Sequence, residues 1–97
     1  MEKYISILLF QSDGSYVAQC IEHDLCVQGS SISQLENRFL EVLVSHLADG
    51  GLEDISMSPN VFLDRFLRCR KFFELSFEFP NENLIIHSDI RITRKTV

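Results

Sequence analysis

The sequence predicts an α+β fold, a small antiparallel sheet with helices packed on it, in the order β-β-β-α followed by α-β-β. Three observations support this prediction. Turn residues divide the N-terminal third into short apolar runs, apolar residues follow helical spacing from Ile32 to Leu47, and apolar and polar residues alternate from Phe73 to Phe79. A chain of 97 residues has the length of one domain. We therefore treat 1–97 as a single domain, with a strand-strand-strand-helix core at 3–48 and a helix plus C-terminal strand hairpin at 58–94.

The first predicted strand, Lys3 to Gln11, carries apolar side chains on both of its faces. A strand of this kind lies inside a sheet that is covered on both sides. The first helix covers one side only, so either the later helix or a second subunit must cover the other. We therefore expect a central strand, and we also expect a homodimer or higher homo-oligomer. One face carries Tyr4, Leu8 and Phe10, and the other carries Ile5, Ile7 and Leu9.

Two further strands and a helix follow the first strand. Ser12-Asp13-Gly14 is typical of a hairpin turn, and the next strands are predicted at Tyr16 to Cys20 and at Val27 to Gly29. Ser31 and Gln34 have the spacing of a capping box, which predicts a helix start. Helical spacing then continues through Ile32, Leu35, Phe39, Val42, Leu43 and Leu47.

The second half predicts one more helix and a hairpin. Ser58-Pro59 is an N-cap followed by the proline that favours a first helical turn, and the helix should run to about Lys71. The alternation from Phe73 to Phe79 predicts a half-buried strand. Pro80 to Asn83 is typical of a turn, and Leu84 to Thr93 predicts a strand antiparallel to the one before it.

Composition and charge narrow the class of protein. No apolar run approaches the ~20 residues that span a membrane, the N-terminus has no small-residue cleavage site, and three cysteines do not form a disulfide framework. We therefore expect a cytoplasmic protein without a membrane partner. The net charge of −5 is uneven: ten acidic and two basic side chains lie at 1–64, against four acidic and seven basic ones at 65–97. Such an acidic front half attracts basic partners and repels nucleic acid, although an acidic surface often serves solubility alone.

The layout from residue 3 to 48 follows one pattern: two strands, an acidic bend, a short strand closed by glycine, and a capped helix. The residues that form this pattern are Tyr16, Val17, Ala18, Asp24, Gly29, Ser31 and Gln34. In this layout the chain resembles the HicB-like antitoxins of bacterial type II toxin-antitoxin systems. The resemblance implies a partial ribonuclease H-like fold.

The same resemblance implies an interaction module that binds and neutralises a small basic HicA-like ribonuclease toxin. In that interpretation Glu22, His23 and Asp24 are candidate partner contacts, because they lie in a bend where side chains leave the sheet. The alternative is a stand-alone dimeric regulator, or orphan paralogue, that binds nucleic acid through its basic C-terminal half. Candidate phosphate contacts are Arg65, Arg68, Arg70 and Lys71, with further basic residues at Arg91, Arg94 and Lys95.

Full-length HicB antitoxins commonly carry a separate C-terminal DNA-binding domain of ribbon-helix-helix or helix-turn-helix type. The second half of this chain predicts helix-strand-strand instead, so operator binding is not the favoured expectation. Charged residues on the outer face of an amphipathic helix also serve solvation alone.

Two other chemistries can be weighed from the sequence. Cys20, His23 and Cys26 supply three soft ligands, but a structural zinc site uses four and typically a Cys-x-x-Cys pair, so we expect buried small cysteines instead. Asp13, Glu22 and Asp24 are carboxylates that a two-metal nuclease could use, but they lie in a turn and a bend and not within the strands. No nucleophile motif or phosphate-binding glycine loop is present. We therefore expect a protein that is not an enzyme and has no cofactor or metal.

Overall fold

The computed structural model describes residues 2–48, 55–69, 79–81 and 84–93. These ranges contain five strands and two helices in the order β-β-β-α-α-β-β. The fold is therefore α+β, as predicted. The elements are β1 (Glu2–Ser12), β2 (Ser15–Cys20), β3 (Cys26–Gly29), α1 (Ile32–Ala48), α2 (Asn60–Arg68), β4 (Phe79–Asn81) and β5 (Leu84–Ile92). Within these ranges, no helix is both long enough and apolar enough to cross a membrane.

The strands form one sheet in the order β3-β2-β1-β5-β4, so β1 is central as predicted. The prediction of an antiparallel sheet is wrong at one position, because β1 and β5 run parallel, with Glu2 opposite Ile85 and Leu9 opposite Ile92. The sheet is therefore mixed. Side chains alternate with a period of two in both parallel and antiparallel strands. The alternation therefore does not predict whether two paired strands run parallel or antiparallel.

One face of the sheet packs against α1. Ile5, Ile7 and Leu9 of β1 are buried there against the Leu35 and Phe39 side chains of the helix. Both helix side chains are fully buried. Burial of a large apolar side chain stabilises a fold by about 1.5–3 kcal/mol. This α1 face is a closed apolar layer.

The opposite face packs against α2 along the second half of β1. Leu8 and Phe10 form a cluster with Phe66, and the Phe10 ring stacks on Phe62 at 6.0 Å. The later helix therefore covers this part of the face. At the start of β1, on the same face, the Tyr4 side chain is 69% exposed.

The predicted hairpin turn is confirmed. Ser12 pairs with Ser15, which leaves Asp13 and Gly14 as a two-residue loop with φ angles of 50° and 80°. Positive φ at both central positions is the geometry of a type I′ turn, whose backbone matches the twist of the flanking strands. Asp-Gly is favoured there because glycine adopts positive φ without a side-chain clash.

The start of α1 is also confirmed. The Ser31 hydroxyl accepts a hydrogen bond from the Gln34 backbone N–H at 3.2 Å, as in a capping box. The Gln34 side chain returns one residue earlier than in the standard arrangement, since its Oε1 accepts from the Ser30 N–H at 2.7 Å. A Cβ on Gly29 would lie 3.0 Å from this Oε1, so the first turn of α1 approaches the end of β3 closely.

Three predicted boundaries are wrong in the second half. Ser58 does not cap α2, because its hydroxyl donates to the Ile21 carbonyl and the residue before the helix is Pro59, which has no side-chain cap. Pro80 and Asn81, predicted in a turn, belong to β4. The antiparallel pairing of β4 with β5 is confirmed, and β5 matches its prediction closely. The helix predicted to run to about Lys71 ends earlier, at Arg68, because Cys69 takes an extended backbone and its N–H donates to the Phe66 carbonyl. The strand predicted from Phe73 lies outside the described residues up to residue 78.

Candidate functional site

The bend between β2 and β3 is fixed to the start of β1. Ser6 lies one residue before the first residue of β1 that pairs with β2, so its backbone groups need other partners. The Glu22 carboxylate accepts from the Ser6 N–H at 2.6 Å, and the Ile21 N–H donates to the Ser6 carbonyl at 2.9 Å. Glu22 is half-buried and continues the hydrogen bonding of β1 beyond the end of β2.

The bend is also fixed to the segment before α2. The His23 ring is buried and its Nδ1 lies 3.2 Å from the Ile55 carbonyl, while the Asp24 N–H donates to the Ser56 carbonyl at 2.7 Å. The Ser58 N–H and hydroxyl both donate to the Ile21 carbonyl, at 3.0 and 3.1 Å. The expectation that the side chains of this bend leave the sheet is therefore wrong for His23, which anchors the bend from inside.

Asp24 is the exposed member of the three candidate contacts. Its Oδ1 accepts from Nε2 of the buried Gln19 at 3.0 Å, which holds the carboxylate beside the end of β3. Partial burial of the Cys26 thiol and the nearby charge of Asp24 together raise the pKa of that thiol. The bend thus presents one accessible carboxylate at Asp24 and one half-buried carboxylate at Glu22.

The cysteines and the candidate carboxylates do not converge on a metal site. Cys26 pairs with Gln19, the neighbour of Cys20, so the two thiols lie on opposite faces of the sheet. The expectation of buried cysteines is correct for Cys20 and wrong for Cys26, which is exposed as a residue although its thiol is partly shielded from water. Asp13 lies in the turn at the far end of β2 from Glu22. Among the residues that the structure describes, no group of three such side chains could hold a metal ion.

The basic candidates divide into three groups. Arg65 is half-buried and Arg68 is exposed on α2, whereas Arg70 and Lys71 lie outside the described ranges. Arg91 has a structural role, because its Nη1 donates to the carbonyls of Phe66 and Cys69, both at 3.2 Å. These carbonyls belong to the C-terminal end of α2, where helices lack internal donors and favour a positive charge.

Arg91 is held by two further contacts. Its guanidinium lies 4.4 Å from the Phe66 ring centroid, and its Nη2 lies 3.6 Å from Asp89 Oδ2. The arginine therefore connects β5 to the end of α2 through a cation–π contact, two hydrogen bonds and an ion pair. A basic residue that the sequence placed in a candidate nucleic-acid surface instead stabilises the helix that covers the second face.

The structure also contains a cleft that the sequence did not predict. It has a volume of about 390 Å³ and lies on the part of the second face that α2 leaves open. The parallel register places Tyr4 beside His87 and Ser6 beside Asp89, and Glu22 reaches the same cleft from the bend. In the sequence, the cleft is indicated only by polar residues at alternate positions of β1 and β5. These residues predict a shared site only if the two strands are known to pair.

The comparisons with known proteins identify no relative. No protein-family model, no curated protein and no solved structure matches this chain. Its candidate site therefore consists of the bend at 22–24 and the adjoining cleft, as defined by their own geometry.

Proposed function

We propose that the chain is a HicB-like, antitoxin-type interaction module that binds a small basic HicA-like ribonuclease toxin and neutralises it. The layout of the first half supports the proposal, since three antiparallel strands lead into a capped helix over Glu2–Ala48. The structured acidic bend at 22–24 supports it as well.

The observation that carries the proposal is an excess of carboxylates in the first half that no described basic side chain neutralises. Among the described side chains of residues 4–46, Arg38 is the single lysine or arginine. Its guanidinium donates a hydrogen bond to the Gln28 carbonyl. The carboxylates in the same range are exposed or half-buried, and the structure shows no salt bridge to any of them within its described part. Such an excess of negative charge steers a basic partner toward the chain and disfavours nucleic acid. The carboxylates are Asp13, Glu22, Asp24, Glu36 and Glu41.

The bend supplies different roles for its three residues in this proposal. Asp24 is the primary polar contact, because it is the exposed carboxylate and Gln19 holds it in place. Glu22 is a second contact at the edge of the cleft. His23 positions both of them by docking the bend on the Ile55 carbonyl.

The test is capture of the partner and inhibition of its activity. The tagged chain would be recovered from lysate of its own organism at moderate salt, and co-purifying proteins identified by mass spectrometry. We expect one small basic protein in stoichiometric amount, whose ribonuclease activity the chain suppresses. Replacing Asp24 by Asn should weaken the complex, whereas the matched change Glu41→Gln on the outer side of α1 should weaken it less. Recovery of the bait alone would argue against the proposal.

The alternative function is a dimeric nucleic-acid-binding regulator or orphan paralogue. Two arginines of α2 favour this alternative. Arg68 is exposed and Arg65 is half-buried, and neither forms a salt bridge with a carboxylate of the described residues. Gel shifts at two salt concentrations distinguish the functions, because binding through phosphates weakens steeply as salt rises. A strong salt-dependent shift that the double change Arg65→Gln and Arg68→Gln abolishes would favour this alternative. Size-exclusion chromatography with light scattering measures the expected dimer in either case.

A further inference from the structure

We propose that the cleft on the sheet face over Tyr4–Ser6 of β1 and His87–Asp89 of β5 binds the guanidinium group of an arginine side chain on the partner protein. This inference rests on the proposed function, since it assumes a basic protein partner. It adds the chemical group that is recognised and the residues that recognise it. Those residues are Tyr4 and Ser6 of β1, His87 and Asp89 of β5, and Glu22 of the bend.

The position and size of the cleft suit a single long side chain. Its volume of about 390 Å³ lies at the small end of ligand pockets, which run from about 300 to 1,000 Å³. Packing of α2 on Leu8 and Phe10 closes the other half of this face, so the cleft ends against the apolar cluster. An elongated side chain can therefore enter from the open end, where Tyr4 is exposed.

The charge of the cleft selects a cation. Glu22 and Asp89 contribute carboxylates, and the described lining contains no lysine or arginine. Glu22 uses Oε1 to accept from the Ser6 N–H, and its Oε2 accepts no hydrogen bond from the described residues. Asp89 faces Arg91 through Oδ2 at 3.6 Å, and its Oδ1 is enclosed by the protein without a hydrogen-bond partner. A donor with several N–H groups would therefore meet the unused Oε2 of Glu22 and the partly exposed carboxylate of Asp89.

The aromatic wall selects a planar cation over a spherical one. The Tyr4 ring stacks on the His87 ring, with centroids 4.8 Å apart and planes 19° apart, so its orientation is fixed although it is exposed. A guanidinium can stack on such a ring and at the same time donate its N–H groups, which point outward in the plane of the guanidinium, to neighbouring carboxylates. The fold already uses this combination nearby, where Arg91 lies over Phe66 beside Asp89.

The test is a titration of the isolated chain with a defined probe, followed by heteronuclear NMR. Acetyl-arginine amide should shift the signals of Tyr4, Ser6 and His87. Acetyl-citrulline amide has nearly the same shape without the charge and should bind at least about threefold more weakly, as loss of an exposed cation–π and ion-pair contact predicts. Equal effects of the two probes, or shifts that map elsewhere, would overturn the proposal. Acetyl-lysine amide binding as tightly as the arginine probe would overturn the preference for a planar cation.

Two variants identify the cleft as the binding site. Glu22→Gln keeps an acceptor for the Ser6 N–H, and Tyr4→Leu removes the ring. Each should weaken arginine binding about threefold or more while leaving the spectrum of the folded chain otherwise intact. Glu41→Gln is the matched control on α1 and should change nothing. Unchanged arginine binding in folded Glu22→Gln and Tyr4→Leu would contradict the assignment.

The same variants separate this inference from the function on which it rests. If a basic toxin is captured but Tyr4→Leu and Glu22→Gln bind it as tightly as the parent chain, the cleft assignment fails while the antitoxin function stands. If arginine binds in the cleft but the captured material contains no basic protein, the site stands and the proposed partner is wrong.

Discussion

The two faces of the sheet are built in different ways. The buried side chains of the α1 face recur with the period of a strand in β1 and of a helix in α1, so the local sequence pattern predicts which of them are buried. The other face is half covered by α2, which packs on a smaller apolar cluster through Phe66 and is also tied by long-range polar contacts from Ser58 and Arg91. The open half contains the cleft and the bend. The α1 face therefore contains the larger buried apolar cluster, whereas the α2 face carries the candidate site.

The largest expected effect is on the α1 face. Phe39→Ala should lower the free energy of unfolding by about 3–5 kcal/mol, because it opens a cavity in a fully buried layer. Leu40, the next residue, is 36% exposed. Leu40→Ala should therefore lower the free energy of unfolding by about 0.5 kcal/mol or less, as is usual for surface substitutions. Urea denaturation of both variants measures the difference. Similar losses in the two would mean that the α1 layer is not the main core.

The next effect is on the attachment of α2. Arg91→Gln removes the charge that contacts two C-terminal carbonyls of the helix, so we expect a loss of about 1.5–3 kcal/mol. Hydrogen exchange should accelerate in Asn60–Arg68 more than in Ile32–Ala48, since only the former helix depends on Arg91. Uniform acceleration in both helices would contradict the separate attachment of the two faces.

A smaller effect is expected at the link between the bend and α2. Ser58→Ala removes the hydroxyl donor to the Ile21 carbonyl but keeps the Ser58 backbone donor to the same atom. We therefore expect a loss of about 1 kcal/mol. Ser56→Ala, at an exposed position of the same segment, is the matched control and should be near neutral. A change in the NMR signals of the bend without any loss of stability would show that the hydroxyl orients the bend without stabilising it.

The smallest effect concerns the reactivity of Cys26. Burial and then the charge of Asp24 raise the pKa of this thiol, so Asp24→Asn should lower that pKa and increase the thiolate fraction at a given pH. Alkylation of the Cys26 peptide by iodoacetamide, followed by mass spectrometry, should therefore be modestly faster. Asn keeps the acceptor for Gln19, and Glu36→Gln controls for a distant charge. Slower alkylation in Asp24→Asn would contradict the assigned cause.

The raised pKa also sets the sign of a pH effect on stability. The folded chain holds the Cys26 proton more tightly than the unfolded chain does. Stability from this group is therefore fully present below the pKa of the unfolded thiol and is lost as pH rises through the folded value. Cys26→Ser should remove this alkaline loss from the pH profile of thermal unfolding.

The elements that the sequence predicts are those that local contacts form. The central strand, the Asp13-Gly14 turn and the capped α1 depend on neighbours in the chain, and each is confirmed. The parallel β1–β5 pairing, the Ser58 contact and the Arg91 contact join residues far apart in sequence. Neither residue type nor spacing encodes these partners, so a serine read as a helix cap and an arginine read as a phosphate contact have other roles.

The candidate site likewise combines local and long-range features. The bend was predicted from its residues, but the burial of His23 depends on Ile55, which local patterns do not place nearby. The cleft depends on a register that sets Tyr4 beside His87 and Ser6 beside Asp89. A site built across two strands becomes visible only when their pairing is known.

The most direct test of the proposed function is inhibition of the captured partner's ribonuclease activity by the purified chain. Titration should abolish RNA cleavage with a sharp stoichiometric end point, and Asp24→Asn should shift that titration to higher concentration while Glu41→Gln does so less. RNA cleavage that continues unchanged in excess chain would contradict the antitoxin function.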